Sequence, residues 1–315
     1  MTDSSIEAID LTKNYGKFTA LDSLNLRLEG SKCVGFLGPN GAGKTTTLKI
    51  FTDLIKPSRG SALINGLEVH GNKKKALENC SALVETPEIY PYMSAREALN
   101  LVADLKGLPK SGRKDMIEEA ISEVRMEDWI DAKVGKFSKG MKQRINIAST
   151  LIGNPAVIFL DEPTTGLDPR GMAEVRGIVK SLKQKDRLIF MSSHLLNEVS
   201  DVCDEVALID HGKLLAYGTM DEVTARFTGE EGLADASFSR PVDQDTYDHY
   251  IVKLDHVISA ERVNGKTVRL KFKGGQSAQE EILADLASLK IGLLEFKTAF
   301  SKLEDTYMSL IQEGN

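Results

Sequence analysis

The stretch that decides the fold is CVGFLGPNGAGKTTTLKI, residues 33–50. Its first part, Val34 to Leu37, has the length and apolar character of a buried strand, and a glycine-rich loop follows. After the loop, apolar residues recur at helical spacing as far as Ile55, and Pro57 ends the helix. A buried strand that leads through a tight loop into a helix is typical of an α/β domain with a mostly parallel sheet.

The loop itself, Gly38 to Thr45, matches the phosphate-binding pattern G-x4-G-K-[ST]. Backbone N–H groups can surround a triphosphate only where no Cβ intervenes, which explains Gly41 and Gly43. Lys44 is expected to span the β- and γ-phosphates, and the Thr45 hydroxyl to ligate Mg²⁺. The residues expected to contact the nucleotide are Gly38, Pro39, Asn40, Gly41, Ala42, Gly43, Lys44, Thr45 and Thr46.

A second apolar strand, 156–160, ends in Asp161 and Glu162. Beside a phosphate-binding loop, Asp161 is expected to hold Mg²⁺, and Glu162 to act as the general base that polarises the attacking water. Without that loop, two solvated acids at the end of a strand would explain the pattern equally well. ATPases, GTPases and kinases all remain open at this point, although the lack of an Asn-Lys-x-Asp element weakens the GTPase interpretation.

Further along the chain, strands alternate with helices, and the pattern changes near residue 220. We predict a large domain, 1–222, with a mostly parallel sheet, an antiparallel β subdomain and a helical subdomain at about 88–150. A polar linker, 223–245, is predicted to lead to a small α+β domain, 246–315. This small domain is expected to contain a hairpin at Asn264-Gly265, a helix at about 277–289 and a last helix that begins near Ser301.

The composition excludes several classes of protein. The chain has 315 residues, of which 41% are hydrophobic and 27% charged, as in globular proteins. The formal net charge of −6 argues against a nucleic-acid partner, because such domains are usually basic. No run approaches the roughly 18 apolar residues of a membrane helix, and the N-terminus lacks an apolar signal core. We therefore expect a cytoplasmic protein that reaches a membrane only through a partner.

Three more motifs complete an ordered set: FSKGM at 137–141, TGLDP at 165–169 and SSH at 192–194. With the two nucleotide motifs, this set resembles the ATP-binding subunits of ABC transporters over about residues 4–222. The resemblance implies that Tyr15 stacks on adenine and that His194 contacts the γ-phosphate. It also implies that Ser138 and Gly140 complete the nucleotide site of the opposite subunit, and that Asp168 faces that subunit.

Each of these residues also has a simpler interpretation outside the family pattern. Tyr15 would then be an aromatic residue packed at an edge strand, and Ser138 an ordinary helix cap. His194 would be a structural histidine.

Two features depart from the usual family pattern. The signature commonly reads Leu-Ser-Gly-Gly-Gln, but this chain has Phe137, Lys139 and Met141 at three of the five positions. Glu85 stands where glutamine is usual; it is interpreted as a third metal ligand, with a solvated loop acid as the alternative. Together with the C-terminal extension, the signature resembles that of a divergent branch among the ABC-2-type exporters.

The resemblance implies an ATPase that powers a separate membrane permease of the ABC-2 exporter type. Glu162, His194 and Lys44 are the expected catalytic residues, and ATP and Mg²⁺ the cofactors. Two nucleotides would lie between two copies of the chain, or between this chain and a paralogous ATPase subunit. The permease is expected to dock near Glu85–Met93 and to hold the subunit on the inner face of the membrane.

Two other classes of ABC ATPase fit less well. Those that act on ribosomes usually carry two cassettes and a basic linker, whereas this chain has one cassette and is acidic. Those of DNA repair carry a long coiled coil between the phosphate loop and the signature, and the insertion here is long enough only for a small helical subdomain.

Overall fold

The computed structural model describes residues 4–85, 88–223 and 231–298. The chain divides into two compact units, Met1–Met220 and Asp221–Asn315. Among the described residues, no helix is long and apolar enough to cross a bilayer.

Ten strands of the first unit form two sheets. Their bounds are β1 (Ser5–Tyr15), β2 (Phe18–Glu29), β3 (Cys33–Leu37), β4 (Arg59–Ile64), β5 (Leu67–Glu68), β6 (Cys80–Leu83), β7 (Val157–Asp161), β8 (Leu188–Ser193), β9 (Glu205–Asp210) and β10 (Lys213–Gly218). The smaller sheet is antiparallel, in the order β2-β1-β4-β5. The larger sheet has the order β10-β9-β3-β8-β7-β6 and is parallel except for β10.

The labelled helices of this unit are α1 (Lys44–Phe51), α2 (Val69–Ala76), α3 (Ala95–Leu105), α4 (Arg113–Glu123), α5 (Lys139–Leu151), α6 (Pro169–Leu182) and α7 (Leu196–Val202). Helix α3 begins in a capping box, in which the Ser94 hydroxyl accepts from the Glu97 amide and the Glu97 carboxylate accepts from the Ser94 amide. Both pairings satisfy amides at the helix start that have no partner within the helix.

The larger sheet is buried on both faces. Along β7, Val157 and Phe159 join the core under α1 and the antiparallel sheet, whereas Ile158 and Leu160 join the core formed with α3 to α6. Alternate side chains of a strand point to opposite faces, so a continuous apolar run fits a strand covered on both sides. This explains why the apolar runs at 34–37 and 156–160 are recognisable as central strands.

Strand register brings the ends of three strands to one edge of the sheet. Leu37 pairs with Ser193, and Asp161 pairs with Ser192. The loop after β3, the acidic pair after β7 and the histidine after β8 therefore emerge side by side. In open α/β sheets, ligands bind at this carboxyl edge.

The second unit, described from residue 231 to 298, has its own sheet in the order β12-β13-β11-β14, with all neighbours antiparallel. A short helix and a π-helical turn, 244–251, follow β11, and α8 follows β13. This β-α-β-β-α-β order is the split βαβ arrangement. Its labelled elements are β11 (Glu231–Phe238), β12 (Val257–Asn264), β13 (Thr267–Lys273), α8 (Gly275–Ser288) and β14 (Leu293–Thr298).

The predicted linker is wrong for the residues of β11. This strand lies between β13 and β14 inside the sheet, and alternate residues, Ala234, Ala236 and Phe238, are buried in the core. The hairpin at Asn264-Gly265 and the helix after it are present. The predicted last helix, from Ser301, lies outside the described residues. The predicted fold class is confirmed.

Phe190 is the centre of an aromatic cluster in the first unit, so we expect Phe190→Ala to destabilise it strongly. Its ring centroid lies 5.0 Å from that of Phe36, 6.4 Å from that of Phe51 and 6.3 Å from that of Phe159. Phe→Ala in a core costs about 3–5 kcal/mol of the free energy of unfolding. Urea unfolding followed by the fluorescence of Trp129, the single tryptophan of the chain, measures the loss in this unit.

The matched control is Leu54→Ala, because the Leu54 side chain is exposed. That change is expected to stay within about 0.5 kcal/mol of the parent. Equal unfolding midpoints for the Phe190 and Leu54 variants would contradict the assignment of Phe190 to the core.

Candidate functional site

The loop between β3 and α1 takes a conformation that depends on its glycines. Gly41 and Gly43 have φ angles of 86° and 106°, which side chains with a Cβ rarely adopt. A Cβ on Gly43 would also lie 2.6 Å from the Ala20 carbonyl oxygen. The loop delivers the chain to Lys44, where α1 begins, so amides of the first helical turn face the loop.

The Lys44 side chain is folded back over this loop and is almost fully buried. Its Nζ donates to the carbonyl oxygens of Gly38, at 2.8 Å, and Pro39, at 3.0 Å. The same Nζ lies 3.4 Å from Glu162 Oε1. Burial lowers the pKa of Lys44, although Glu162 and Asp161 act against this shift. The ammonium is thus held where an anion bound in the loop would meet it.

Thr45 and Asp161 bring two oxygen ligands together across the loop. The Thr45 hydroxyl donates to Asp161 Oδ1 at 3.1 Å, and the Ser192 hydroxyl donates to the same oxygen at 2.6 Å. Mg²⁺ prefers oxygen ligands, and commonly takes one or two from protein and the rest from phosphates and water. The pair therefore fits Mg²⁺ held together with a nucleotide. Within the described residues, no group of three His, Cys, Asp or Glu side chains offers an all-protein metal site.

Glu162 directs its carboxylate toward the loop because the backbone turns there. Its φ is 43°, and its amide donates to the Ser192 hydroxyl at 2.9 Å. The Thr165 hydroxyl donates to Glu162 Oε2 at 2.8 Å, and His194 Nδ1 lies 3.2 Å from the same oxygen. Burial acts to raise the pKa of Glu162, but Thr165, Lys44 and His194 together hold this pKa below its ordinary value. The group is therefore ionised at neutral pH.

Two aromatic side chains stand beside the loop, and only one of them was predicted. Tyr15 and Phe18 pair across the turn of the β1–β2 hairpin, and both rings are exposed. A cleft of about 220 Å³ includes both, and the other residues that line it are Ala20, Asn40, Gly41, Gly43, Lys44, Thr45, Thr46 and Glu162. Tyr15 thus lines the same cleft as the phosphate loop, and its stacking on adenine stays a prediction. Phe18 was missed, although its place across a two-residue turn from Tyr15 could have indicated it.

The signature residues do not line this cleft. Ser138 is the N-cap of α5 and accepts from the Met141 amide, and Asp168 is the N-cap of α6 and accepts from the Gly171 amide. Gly140 packs beside Gly171, where the two helices begin. A separate cleft of about 460 Å³ lies beside these helix starts, lined by Lys139, Thr165, Gly166 and Leu167 among others.

Glu85 is engaged away from the Thr45–Asp161 pair. Its Oε1 lies 2.5 Å from Lys49 Nζ, and this contact raises the pKa of Lys49. Lys49 is one helical turn beyond Thr45 on α1, so the two lie on the same helix face. The structure thus pairs Glu85 with an ammonium rather than with the other two predicted metal ligands.

Comparisons with known proteins show the family of this chain. A family model described as ABC transporter matches residues 21–165. The bacitracin transport ATP-binding protein BcrA of Bacillus licheniformis is 42% identical over 70% of this chain and 72% of its own length. The chain belongs to the ABC transporter ATP-binding proteins. An uncharacterized ABC transporter ATP-binding protein of Bacillus subtilis, YhcH, is 32% identical over 98% of this chain and 96% of its own.

Solved structures of ABC transporter ATP-binding subunits share the fold of this cassette. A structure of the ATP-binding subunit of an ABC transporter matches with a TM-score of 0.63 and 29% identity, over 70% of this chain and 92% of its own. The predicted family, ATP binding and ATP hydrolysis coupled to transport are thereby confirmed. ATP-binding subunits of this family dimerise and pair with a membrane permease.

We expect Thr165→Val to raise the pKa of Glu162. The substitution removes a hydroxyl that hydrogen-bonds the charged carboxylate, and such a bond favours the charged form. The measurement is a ¹³C NMR titration of the nucleotide-free protein with labelled glutamate, in which the Glu162 signal is assigned by its loss in Glu162→Gln.

Thr165→Ser is the matched control, since it keeps the hydroxyl and is expected to titrate as the parent does. If the valine and serine variants titrate alike, the Thr165 contact does not influence this carboxylate.

Proposed function

We propose that the chain works as a nucleotide-sandwich dimer that powers a separate permease of the ABC-2 exporter type. The observation that supports this proposal is that the expected site residues of one chain lie in two separate places. Lys44, Asp161 and Glu162 converge on the phosphate loop, whereas Ser138 and Gly140 lie outside its cleft. One chain thus offers an incomplete site and a separate completing element, and a twofold arrangement of two chains satisfies both. The second chain is another copy or a paralogous ATPase subunit.

Mg²⁺ is the proposed companion of ATP, with Thr45 and Asp161 as its protein ligands. When bound, it would neutralise charge on the β- and γ-phosphates. Glu85, the third predicted ligand, is paired with Lys49 and would have to leave that ammonium to reach the metal. We therefore propose that Glu85 acts beside the metal site and enters it only after that pairing breaks.

Hydrolysis in this proposal depends on a few positioned side chains. Glu162, ionised and aimed at the loop, accepts the proton of the attacking water. The ammonium of Lys44 leaves its carbonyl partners for the β- and γ-phosphates, and His194 contacts the γ-phosphate. Ser138 and Gly140 of the opposite subunit complete the contacts, with the dipole of the α5 N-terminus toward the phosphate.

We expect Glu162→Gln to bind ATP as the parent does but to hydrolyse it at least 100-fold more slowly. Glutamine keeps the size of the side chain and loses the base, so the ATP-bound dimer accumulates. Phosphate release in a single turnover measures the chemistry, and light scattering coupled to size-exclusion chromatography measures the dimer.

The control for this experiment is Glu162→Gln combined with Lys44→Ala, which is expected to stay monomeric because the phosphate contact is lost. Turnover of Glu162→Gln at the parent rate would refute the assignment of the base. A monomer at saturating ATP, with no second ATPase chain to pair with, would refute the sandwich.

A permease docking surface is proposed at Glu85–Met93, of which residues 86 and 87 lie outside the described part. The rings of Tyr90 and Tyr92 stack at 5.5 Å and are 54% and 67% exposed. Beside them lies a groove of about 240 Å³, lined largely by apolar side chains of this loop and of α3, including Ile89, Met93 and Leu99. Exposed aromatic residues at a groove fit an interface anchor. A permease seated here would hold the subunit at the cytoplasmic face of the membrane.

Tyr92→Ala is expected to reduce co-purification of the permease at least ten-fold, because it removes the more exposed ring of the stacked pair. The bait is a tagged ABC-2-type permease that is co-expressed with this chain and extracted in detergent. Tyr250→Ala, which also removes a half-exposed tyrosine, is the control and is expected to co-purify at the parent level. Equal recovery with the Tyr92 and Tyr250 variants would exclude this surface.

A further inference from the structure

A buried carboxylate lies behind the site and belongs to none of the motifs. Glu198, on α7, is 2% exposed. The Thr164 hydroxyl donates to its Oε1 at 2.6 Å, and the Ser193 hydroxyl donates to its Oε2 at 2.8 Å. Within the described residues, no Lys, Arg or His forms an ion pair with Glu198. Its two oxygens are therefore held by two neutral hydroxyls.

These hydroxyls come from the two segments that surround Glu162. Thr164 directly precedes Thr165, whose hydroxyl donates to Glu162 Oε2, and Ser193 directly precedes His194, whose Nδ1 lies 3.2 Å from that oxygen. Glu198 thus joins the turn after β7 to the end of β8. The Thr165 hydroxyl and the His194 ring, which contact Glu162 Oε2, each belong to a residue that follows a hydrogen-bond donor to Glu198 in the chain.

Because the Glu198 carboxylate is buried, its stability depends on its hydrogen bonds. A buried carboxylate without a counter-ion is costly unless its oxygens are hydrogen-bonded. The bond from Thr164, at 2.6 Å, is a short charge-assisted hydrogen bond, and the bond from Ser193, at 2.8 Å, has an ordinary length. The deletion of one hydroxyl leaves an oxygen unsatisfied, so the two segments are expected to move until it is paired again.

The same turn is held from its other side. The buried Gln143 side chain, on α5, donates from Nε2 to the Pro163 carbonyl oxygen at 2.7 Å. The turn is therefore fixed at Pro163 by α5 and at Thr164 by α7. Thr165, the next residue, is left with little freedom to change its distance from Glu162.

We propose that Glu198 is a positioning residue for ATP hydrolysis, which fixes Thr165 and His194 in register around Glu162 through Thr164 and Ser193. This inference rests on the proposed role of Glu162 as the base. Glu198 touches neither nucleotide nor water in this proposal and acts only through the two segments.

The test is Thr164→Val, which removes one hydroxyl at nearly constant volume. Small misplacements of reacting groups are costly, so kcat is expected to fall roughly 10- to 100-fold. The KM and the Kd for ATP are expected to stay within about two-fold, since the phosphate loop is unchanged. Ser193→Ala is expected to act in the same direction. Thr164→Ser keeps a hydroxyl and is expected to restore most of kcat.

Thr150→Val is the matched control. Thr150 is 1% exposed, as Thr164 is 3% exposed, and its hydroxyl donates to the Ile147 carbonyl within α5. This variant is expected to lose a similar amount of thermal stability and to keep the parent kcat. A parent-like kcat in Thr164→Val, or an equal loss in Thr150→Val, would overturn the proposal.

A double variant separates this inference from the role of Glu162. With Glu162→Gln there is no base to position, so adding Thr164→Val is expected to leave the residual rate unchanged. A further 10- to 100-fold loss in the double variant would show that Glu198 does not act through Glu162. Parent-like turnover of Glu162→Gln alone would instead refute the base, whatever Thr164→Val does.

Discussion

The turn of the backbone at Glu162 is the constraint on which the rest of the site depends. Adjacent residues of a strand point to opposite faces, so Asp161 and Glu162 could not both reach the phosphate loop if β7 continued. The positive φ of Glu162 ends the strand there and brings both carboxylates to one side. A conformation of this kind costs about 1–3 kcal/mol and persists only where its surroundings impose it. Ser192 does so, since its hydroxyl holds both the Glu162 amide and Asp161.

The charges around the loop are arranged for an anion that arrives with a metal. Asp161 and Glu162 face the loop, and Lys44 is the cation in contact with it. Glu85 adds a third carboxylate nearby, but its charge is offset by Lys49. A bare triphosphate would meet two carboxylates and one ammonium, whereas a divalent cation between Thr45 and Asp161 reverses this balance. The carboxylate of Glu85, where glutamine is usual in the family, is therefore balanced by an ammonium on α1.

The parts of the site that were predicted from the sequence share one property: each is a short motif whose residues are close together in the chain. The phosphate loop, the acidic pair and His194 each follow an apolar strand, and parallel strands bring their ends together. Glu198 could not be predicted, because its role depends on Thr164, 34 positions away. Strand β11 was missed because small residues, Ala234 and Ala236, fill its buried positions. Gly232, in the same strand, also has no side chain, since a Cβ there would meet the Phe272 ring at 2.1 Å.

The split βαβ order of the second unit has a further consequence. Ala234 pairs with Thr298 and Phe238 with Leu293, so the beginning of β11 and the end of β14 lie at the same end of the sheet. The first and the last strand of the described sheet therefore begin and finish side by side. An α+β fold with this geometry can be inserted or exchanged in evolution with little rerouting of the chain on either side of its sheet.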